Sequence, residues 1–185
     1  MIQIGARPDA GFEDPIGMMM DCHRRIERFL DVLDRVAHGA VGREMTTVEA
    51  EAVAAALKYF EESGPRHNAD EEESLFPRMR ELARREPGAR ERIGRALEEI
   101  DRLEREHVEA GAIHAAVGAW YARWLRGEVP DEGAGRELAG ETGKLRDMYS
   151  RHIQAEEELV FPLAAQVLDS AEIAAAGREV EARRR

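Results

Sequence analysis

Residues 67–77 read HNADEEESLFP, and residues 152–162 read HIQAEEELVFP. Both stretches follow one pattern, His-x-x-x-Glu-Glu-Glu-x-x-Phe-Pro. On an α-helix, side chains four positions apart lie on the same face, so each histidine shares a face with the first glutamate of its own stretch. The repetition of so long a pattern indicates two helical hairpins of one kind within the chain.

Four segments carry apolar residues at alternating steps of three and four, which is typical of helices that pack in a bundle. Each apolar face contains a histidine at the same level where a leucine is expected. The interval between the first and third of these histidines differs by one residue from that between the second and fourth. Counted in residues from the connection that neighbouring helices share, the four histidines lie at a similar height along the bundle. The sequence predicts an all-α, antiparallel up-down-up-down four-helix bundle. The layer histidines are His23, His67, His107 and His152.

Capping and helix-breaking residues set the expected bounds of these helices. Asp14 is a suitable N-cap, and Pro15 suits the first helical position. Pro77 and Pro162 lack a backbone N–H, so each is expected to kink its helix. Ser170 is the expected cap of a short fifth helix. The expected helices cover residues 15–38, 47–85, 90–126, 137–168 and 171–182.

The expected domain organisation is a single bundle with two short flanks. A chain of 185 residues can bury most of its apolar surface without crosslinks. The bundle is predicted over residues 13–168, between an N-terminal tail, 1–12, and a C-terminal helix or tail, 169–185.

Charge and cysteine content indicate which classes of partner and which cellular compartment fit the sequence. The net charge of −11 makes nucleic acid and anionic membranes poor partners, and no transmembrane segment or signal peptide is predicted. The basic run Arg183–Arg185 is expected to be a solvated tail. Cys22 is the single cysteine, which excludes an intramolecular disulfide and fits a reducing cytoplasm.

The histidine layer, together with Glu71 and Glu156, predicts bound metal. Burying four imidazoles and two carboxylates without a cation is costly, although a buried hydrogen-bonded network is the alternative. The ligand set suits iron, manganese, zinc or cobalt. Two carboxylates on opposite helices suit a pair of ions bridged by both. Without metal, these carboxylates would face each other, so we expect one to protonate or water to enter.

Other polar residues near the layer are expected to have structural roles. His114 lies two turns along the third helix and is expected to support the site rather than bind metal. Cys22 precedes His23 by one residue, so its side chain points about 100° away around the helix. It is expected to be a small buried side chain. The remaining acidic residues of 70–73 and 156–158 are expected mostly to face solvent.

The register of the fourth helix decides which glutamate faces the layer. Glu157, five residues after His152, is the alternative to Glu156. Four α-helical residues leave a side chain ~40° from His152, whereas five leave it ~140° away. The apolar alternation also continues through Glu156. We therefore predict that Glu156 faces the layer.

These residues resemble the hemerythrin family in its bacterial HHE cation-binding form, over about residues 13–168. The resemblance implies a non-haem centre of two iron ions, with an oxo or hydroxo bridge as one option. Such a centre would bind or react with oxygen, nitric oxide or peroxide. Zinc or nickel can replace iron, since affinity alone does not select it. The two glutamates would bridge the ions. Helix adjacency suggests that His23 and His67 bind one ion and that His107 and His152 bind the other. The implied ligands are His23, His67, Glu71, His107, His152 and Glu156.

The third helix departs from the oxygen carriers, where it offers two histidines four residues apart. Leu103 and Gly111 stand four positions before and after His107, and neither binds metal. Sensing or redox reactivity is therefore favoured over simple oxygen carriage. A binding or sensing domain for oxygen, nitric oxide, iron or redox state is preferred, with an unidentified protein partner as its output. A peroxidase- or oxidase-like di-iron enzyme and a helical interaction module with an empty or zinc-filled site are the alternatives.

Overall fold

A computed structural model describes residues 9–185 of the chain. Within that range the chain forms helices and turns and contains no strand, so the all-α prediction is confirmed. Of the expected N-terminal tail, residues 1–8 lie outside the described residues. No helix in the described range is both long enough and apolar enough to cross a bilayer.

Helices of very different lengths follow one another along the described chain. The predicted second helix is divided into two α-helices, a π-helical segment and a further α-helix, and the predicted fourth into an α-helix, a π-helical segment and a further α-helix. The elements are α1 (Pro15–Gly39), α2 (Thr47–Glu62), α3 (Gly64–Asp70), the first π segment (Glu71–Leu75), α4 (Phe76–Arg85), α5 (Pro87–Leu125), α6 (Glu132–Ala155), the second π segment (Glu156–Val160), α7 (Phe161–Val167) and α8 (Ser170–Ala182).

Capping side chains move two helix starts from their expected positions. Asp131 accepts a hydrogen bond from the Ala134 amide, so α6 begins five residues before the predicted start at 137. The predicted cap Ser170 is wrong, because Asp169 accepts from the Glu172 amide while the Glu172 side chain accepts from the Asp169 amide. This reciprocal pair satisfies two amides that the first turn would leave free.

A π-helical turn precedes each of Pro77 and Pro162, where kinks are expected. The Phe76 amide donates to the Glu71 carbonyl, and the Phe161 amide donates to the Glu156 carbonyl, each across five residues. A new α-helix starts after each wide turn, and each proline lies in its first turn. A missing N–H costs little at that position, since first-turn amides have no intrahelical partner.

Helix α1 packs against α6 and α2, whereas α5 packs against α6, α4 and α2. In α1, Asp34 near the C-terminus binds Arg146 of α6 at 2.7 Å, whereas the earlier His23 contacts Glu157 beyond the end of α6. These contacts show that α1 and α6 run in opposite directions. Tyr121 of α5 donates to the Leu33 carbonyl at 2.6 Å, which ties α5 to the far half of α1.

The histidine layer separates apolar clusters. On one side lies a cluster that includes Met19, Leu75, Phe76, Leu103, Val160 and Phe161. On the other side lies one that includes Ile26, Leu30, Ala110, Leu145, Met148 and Tyr149. Both are almost fully buried, so polar side chains in the layer are shielded from water above and below.

Helix α8 packs on α1, α3 and the first π segment. Gly177 is required there, because a Cβ atom would lie 2.0 Å from the Phe12 carbonyl oxygen. The expectation of a solvated arginine tail is wrong for Arg183 and Arg184, which both bind the buried Asp70. An interior carboxylate needs such cations, since burial would otherwise destabilise its charge. The exposed Arg185 pairs with its helix neighbour Glu181.

Candidate metal centre

The six residues that the sequence singles out converge in the interior. His23 comes from α1, His67 from α3, His107 from α5 and His152 from α6. Glu71 and Glu156 are the first residues of the two π segments. None of the six is more than 7% exposed.

Two groups of four residues have ligand atoms within 4.8 Å of one another. Both groups contain the same two glutamates, and the histidines divide into the pairs that helix adjacency predicts. Group A consists of His23, His67, Glu71 and Glu156. Group B consists of His107, His152, Glu71 and Glu156.

Each shared carboxylate turns one oxygen toward each group. Glu71 Oε1 lies 3.2 Å from His67 Nε2, whereas its Oε2 lies 3.3 Å from His107 Nε2. Glu156 Oε2 lies 3.1 Å from His23 Nε2, whereas its Oε1 lies 3.2 Å from His152 Nε2. A carboxylate that presents its two oxygens to two sets of imidazoles has the arrangement needed to bridge two ions.

These carboxylates lack conventional hydrogen bonds. All four oxygens of Glu71 and Glu156, and Nε2 of His23, have no hydrogen-bond partner of good geometry among the described residues. Buried polar atoms are nearly always satisfied, and an unpaired buried carboxylate is especially unfavourable. Imidazole and carboxylate ligands together suit a first-row transition metal. The donor set therefore fits bound cations.

The pKa values oppose the expected protonation of one glutamate in the metal-free site, and the other half of that expectation, entry of water, stays a prediction. Burial alone would raise the pKa of Glu71, but the facing imidazoles outweigh burial and hold that pKa well below its ordinary value. The same competition lowers the pKa of Glu156. Burial would conversely lower the pKa values of the histidines, but the carboxylates raise those of His23 and His152 and raise that of His107 to about 9. These directions favour imidazolium ions over a carboxylic acid in the metal-free site.

Three further glutamates hold the outer nitrogens of the imidazoles. Glu157 contacts His23 Nδ1 at 2.9 Å, Glu72 contacts His107 Nδ1 at 2.6 Å, and Glu106 contacts His152 Nδ1 at 3.0 Å. The expectation that the remaining acids mostly face solvent is therefore wrong for Glu72 and Glu157, as it is for Asp70. A carboxylate at this position fixes the imidazole tautomer and its orientation.

The repeated pattern contains the signal for two of these contacts. The second glutamate of each triplet, Glu72 or Glu157, reaches a histidine on a neighbouring helix. Glu106 has no such signal, because it precedes His107 in sequence but contacts His152 on α6.

Glu156, rather than Glu157, lies between the two groups. The second π segment begins at Glu156, so the helical count of four from His152 to Glu156 is undisturbed. Glu157 is 31% exposed and contacts the outer nitrogen of His23.

The residues expected to be structural lie outside both groups. His114 Nε2 lies 3.1 Å from the Tyr149 hydroxyl, and its ring packs on Phe60. Burial lowers the pKa of His114 to about 4. Cys22 is buried, and burial raises the pKa of its thiol.

Comparison with known proteins assigns most of the chain to one domain type. Residues 14–164 match the family model described as the hemerythrin HHE cation binding domain. A protein of Haemophilus influenzae, described only as uncharacterized, is 25% identical over 185 aligned residues, which cover 95% of this chain and 92% of that protein. The range matched by the family model contains all six residues of groups A and B.

Proposed function

Because the chain belongs to the hemerythrin HHE cation-binding domain family, we propose that it is a non-haem di-iron protein that binds or senses oxygen or a related small molecule. Nitric oxide, peroxide and cellular redox state are the related signals. Group A would hold one iron ion and group B the other. The six ligands would be His23, His67, Glu71, His107, His152 and Glu156.

One observation carries this proposal: groups A and B share both carboxylates, with one oxygen of each turned toward each group. A single-metal site would need only one such set. A hydrogen-bonded core network would not leave four buried carboxylate oxygens without good hydrogen bonds.

An iron pair, when bound, supplies reversible changes of oxidation state and a coordination position for a small ligand. The chain supplies two imidazoles per metal and the two shared carboxylates. Of the two positions four residues from His107, Leu103 is fully buried and Gly111 has no side chain, so neither supplies the further histidine of the oxygen carriers. This supports a more open coordination sphere, which favours sensing or redox reactivity over simple oxygen carriage.

The proposed scaffold is an up-down-up-down four-helix bundle over residues 13–168. Its four arms would be α1, α2 to α4, α5, and α6 to α7. The antiparallel contacts of α1 with α6 support this topology. We also propose a cytoplasmic setting, since one cysteine permits no intramolecular disulfide.

Metal analysis and spectroscopy test the proposal. Protein purified with iron supplied should contain about two iron ions per chain, as two carboxylate-bridged positions require. Its absorption spectrum should change reversibly between anaerobic and aerobic samples. Zinc-loaded protein, which has no redox chemistry, is the control. A metal content near zero in protein of intact helicity would refute the centre.

A di-iron redox enzyme is the second candidate, and the neighbourhood of His152 favours it. The Tyr149 ring lies 6.2 Å from that of His152, and its hydroxyl lies 3.1 Å from His114 Nε2. This buried phenol, the pKa of which burial raises, is a redox-active side chain close to the proposed centre. Peroxide consumption by iron-loaded protein, reduced in Tyr149→Phe, would support an enzyme. No consumption above that of the zinc-loaded protein would leave the binding or sensing function.

A further inference from the structure

The outer contacts of the imidazoles differ between groups A and B. In group B, both histidines have a carboxylate at Nδ1, Glu72 for His107 and Glu106 for His152. In group A, only His23 has one. Nδ1 of His67 is buried and has no hydrogen-bond partner among the described residues.

A carboxylate at Nδ1 strengthens an imidazole as a metal ligand. It keeps the proton on Nδ1, leaves the lone pair of Nε2 free for the metal, and raises the basicity of the ring. Loss of such a partner typically weakens metal binding by about 10- to 100-fold. Group B has two ligands with this support, and group A has one.

Glu106 is itself held in place. It is 19% exposed, and one of its oxygens binds Arg102 while the other contacts His152. Arg102 also binds Glu99, which fixes the guanidinium. The cation offsets part of the charge of Glu106, but it also orients the carboxylate toward the imidazole.

His67 lacks the support at Nδ1 that Glu106 gives to His152. Its Nε2 faces Glu71, so coordination through Nε2 leaves a proton on Nδ1. That buried N–H would donate to nothing among the described residues, which disfavours the coordinating tautomer. The group that depends on His67 is therefore expected to bind metal less tightly.

Building on the proposed two-metal centre, we propose that its two positions are inequivalent. The position of group B binds a divalent transition-metal ion more tightly and fills first. Glu72 and Glu106 are positioning residues that support its two imidazoles. The inequivalence arises outside the direct ligands, since each group has two histidines and the same two glutamates.

Titration of the metal-free full chain with Co²⁺, in competition with a chromophoric chelator, tests the order of filling. The wild type should bind two ions in separate steps. His67→Ala retains the histidines of group B, and His152→Ala retains one histidine of group B and both of group A. The ion that remains in His67→Ala should be bound at least about tenfold more tightly than the one in His152→Ala.

The role of Glu106 is tested in the His67→Ala background. Adding Glu106→Gln should weaken the remaining ion by about 10- to 100-fold and alter the Co²⁺ absorption bands. Glu99→Gln is the matched control, because it lies on the same helix, contacts the same arginine and removes the same charge without touching an imidazole. Circular dichroism verifies that each variant is folded.

The outcomes separate this inference from the proposed function. Equal affinities in the two histidine variants, tighter binding in His152→Ala, or equal effects of Glu106→Gln and Glu99→Gln would each overturn the inequivalence and leave a two-metal centre in place. Wild-type protein that binds fewer than two ions would overturn the two-metal centre, and the inequivalence with it.

Discussion

Single residues decide how groups A and B are connected. Glu71 and Glu156 contribute to both groups, whereas each histidine contributes to one. With metal bound as proposed, loss of a histidine would remove a ligand from one ion, and loss of a glutamate would remove one from both. The two glutamates are also the least replaceable residues electrostatically, because they face histidines from four different helices.

His67→Ala and His152→Ala should each lower metal occupancy strongly, because each removes one of the two imidazoles of a group. His114→Ala should leave occupancy nearly unchanged, since its ring contacts Tyr149 and Phe60 outside both groups. Metal analysis of the three variants after identical iron loading measures the effect. Equal losses in all three would show that the ligand layer is assigned wrongly.

His114 should make stability depend on pH. Burial lowers its pKa in the folded chain to about 4, below the value near 6.5 expected for the unfolded chain. The unfolded chain therefore takes up this proton first, and stability falls as the pH drops from 6.5 toward 4, by at most about 3 kcal/mol. Below pH 4 this residue adds no further loss.

Urea unfolding of the wild type and of His114→Gln at several pH values measures this dependence. The difference in unfolding free energy between them should change in that window and be constant above it. Effects of pH on residues common to both proteins cancel in the difference. A constant difference from pH 7 to pH 4 would contradict the assignment.

For single residues, the sequence predicts contacts between side chains of the same helix and misses contacts between side chains of different helices. The pairing of His67 with Glu71 follows from helical spacing alone. The contact of Glu106 with His152 depends on how α5 and α6 are placed side by side, and no spacing within one helix encodes it. The hydrogen-bond partners of Asp70 are hidden for the same reason.

Among the elements, the two π segments follow one pattern. Each begins at a shared glutamate and ends just before Phe-Pro. The glutamate faces inward because the α-helical count of four from its histidine is undisturbed, and the next glutamate lies against a neighbouring imidazole. Apolar periodicity predicts the helices on either side but not these turns. Steps of three and four through Glu156 lead to Leu159 and Leu163, whereas the residues buried there are Val160, Phe161 and Ala164.

Helix α8 should depend on its arginine contacts with Asp70. Asp70→Ala removes a carboxylate that is 1% exposed and leaves Arg183 and Arg184 without it, which should cost about 3 kcal/mol of unfolding free energy. Glu141→Ala removes one partner of an exposed ion pair and should cost less than about 0.5 kcal/mol. Urea denaturation of metal-free proteins compares the two. A similar cost for both would mean that α8 is not stabilised by this contact.

For the whole molecule, metal binding and folding should be coupled. The ligands come from four helices and two π segments, so the complete set exists only in the folded chain. Metal that binds only the folded state stabilises it by about 2.7 kcal/mol when the free metal is at 100 times its dissociation constant. Removal of the metal by a chelator should therefore lower the melting temperature.

Calorimetry before and after chelation measures this stabilisation, and re-addition of metal should restore the original melting temperature. The double variant His67→Ala, His152→Ala serves as the control and should melt at a temperature that the chelator changes little. An unchanged melting temperature after verified removal of metal from the wild type would contradict the coupling.

The sharing of carboxylates between groups A and B makes the two halves of the chain dependent on each other. The half before Glu86 contributes His23, His67 and Glu71, and the half after it contributes the rest. Neither half contains a complete group. Bound ions would thus act as crosslinks across the chain: a molecule nicked by a protease between α4 and α5 would remain one particle while the ions stay bound, and its fragments would be held less firmly once they are withdrawn.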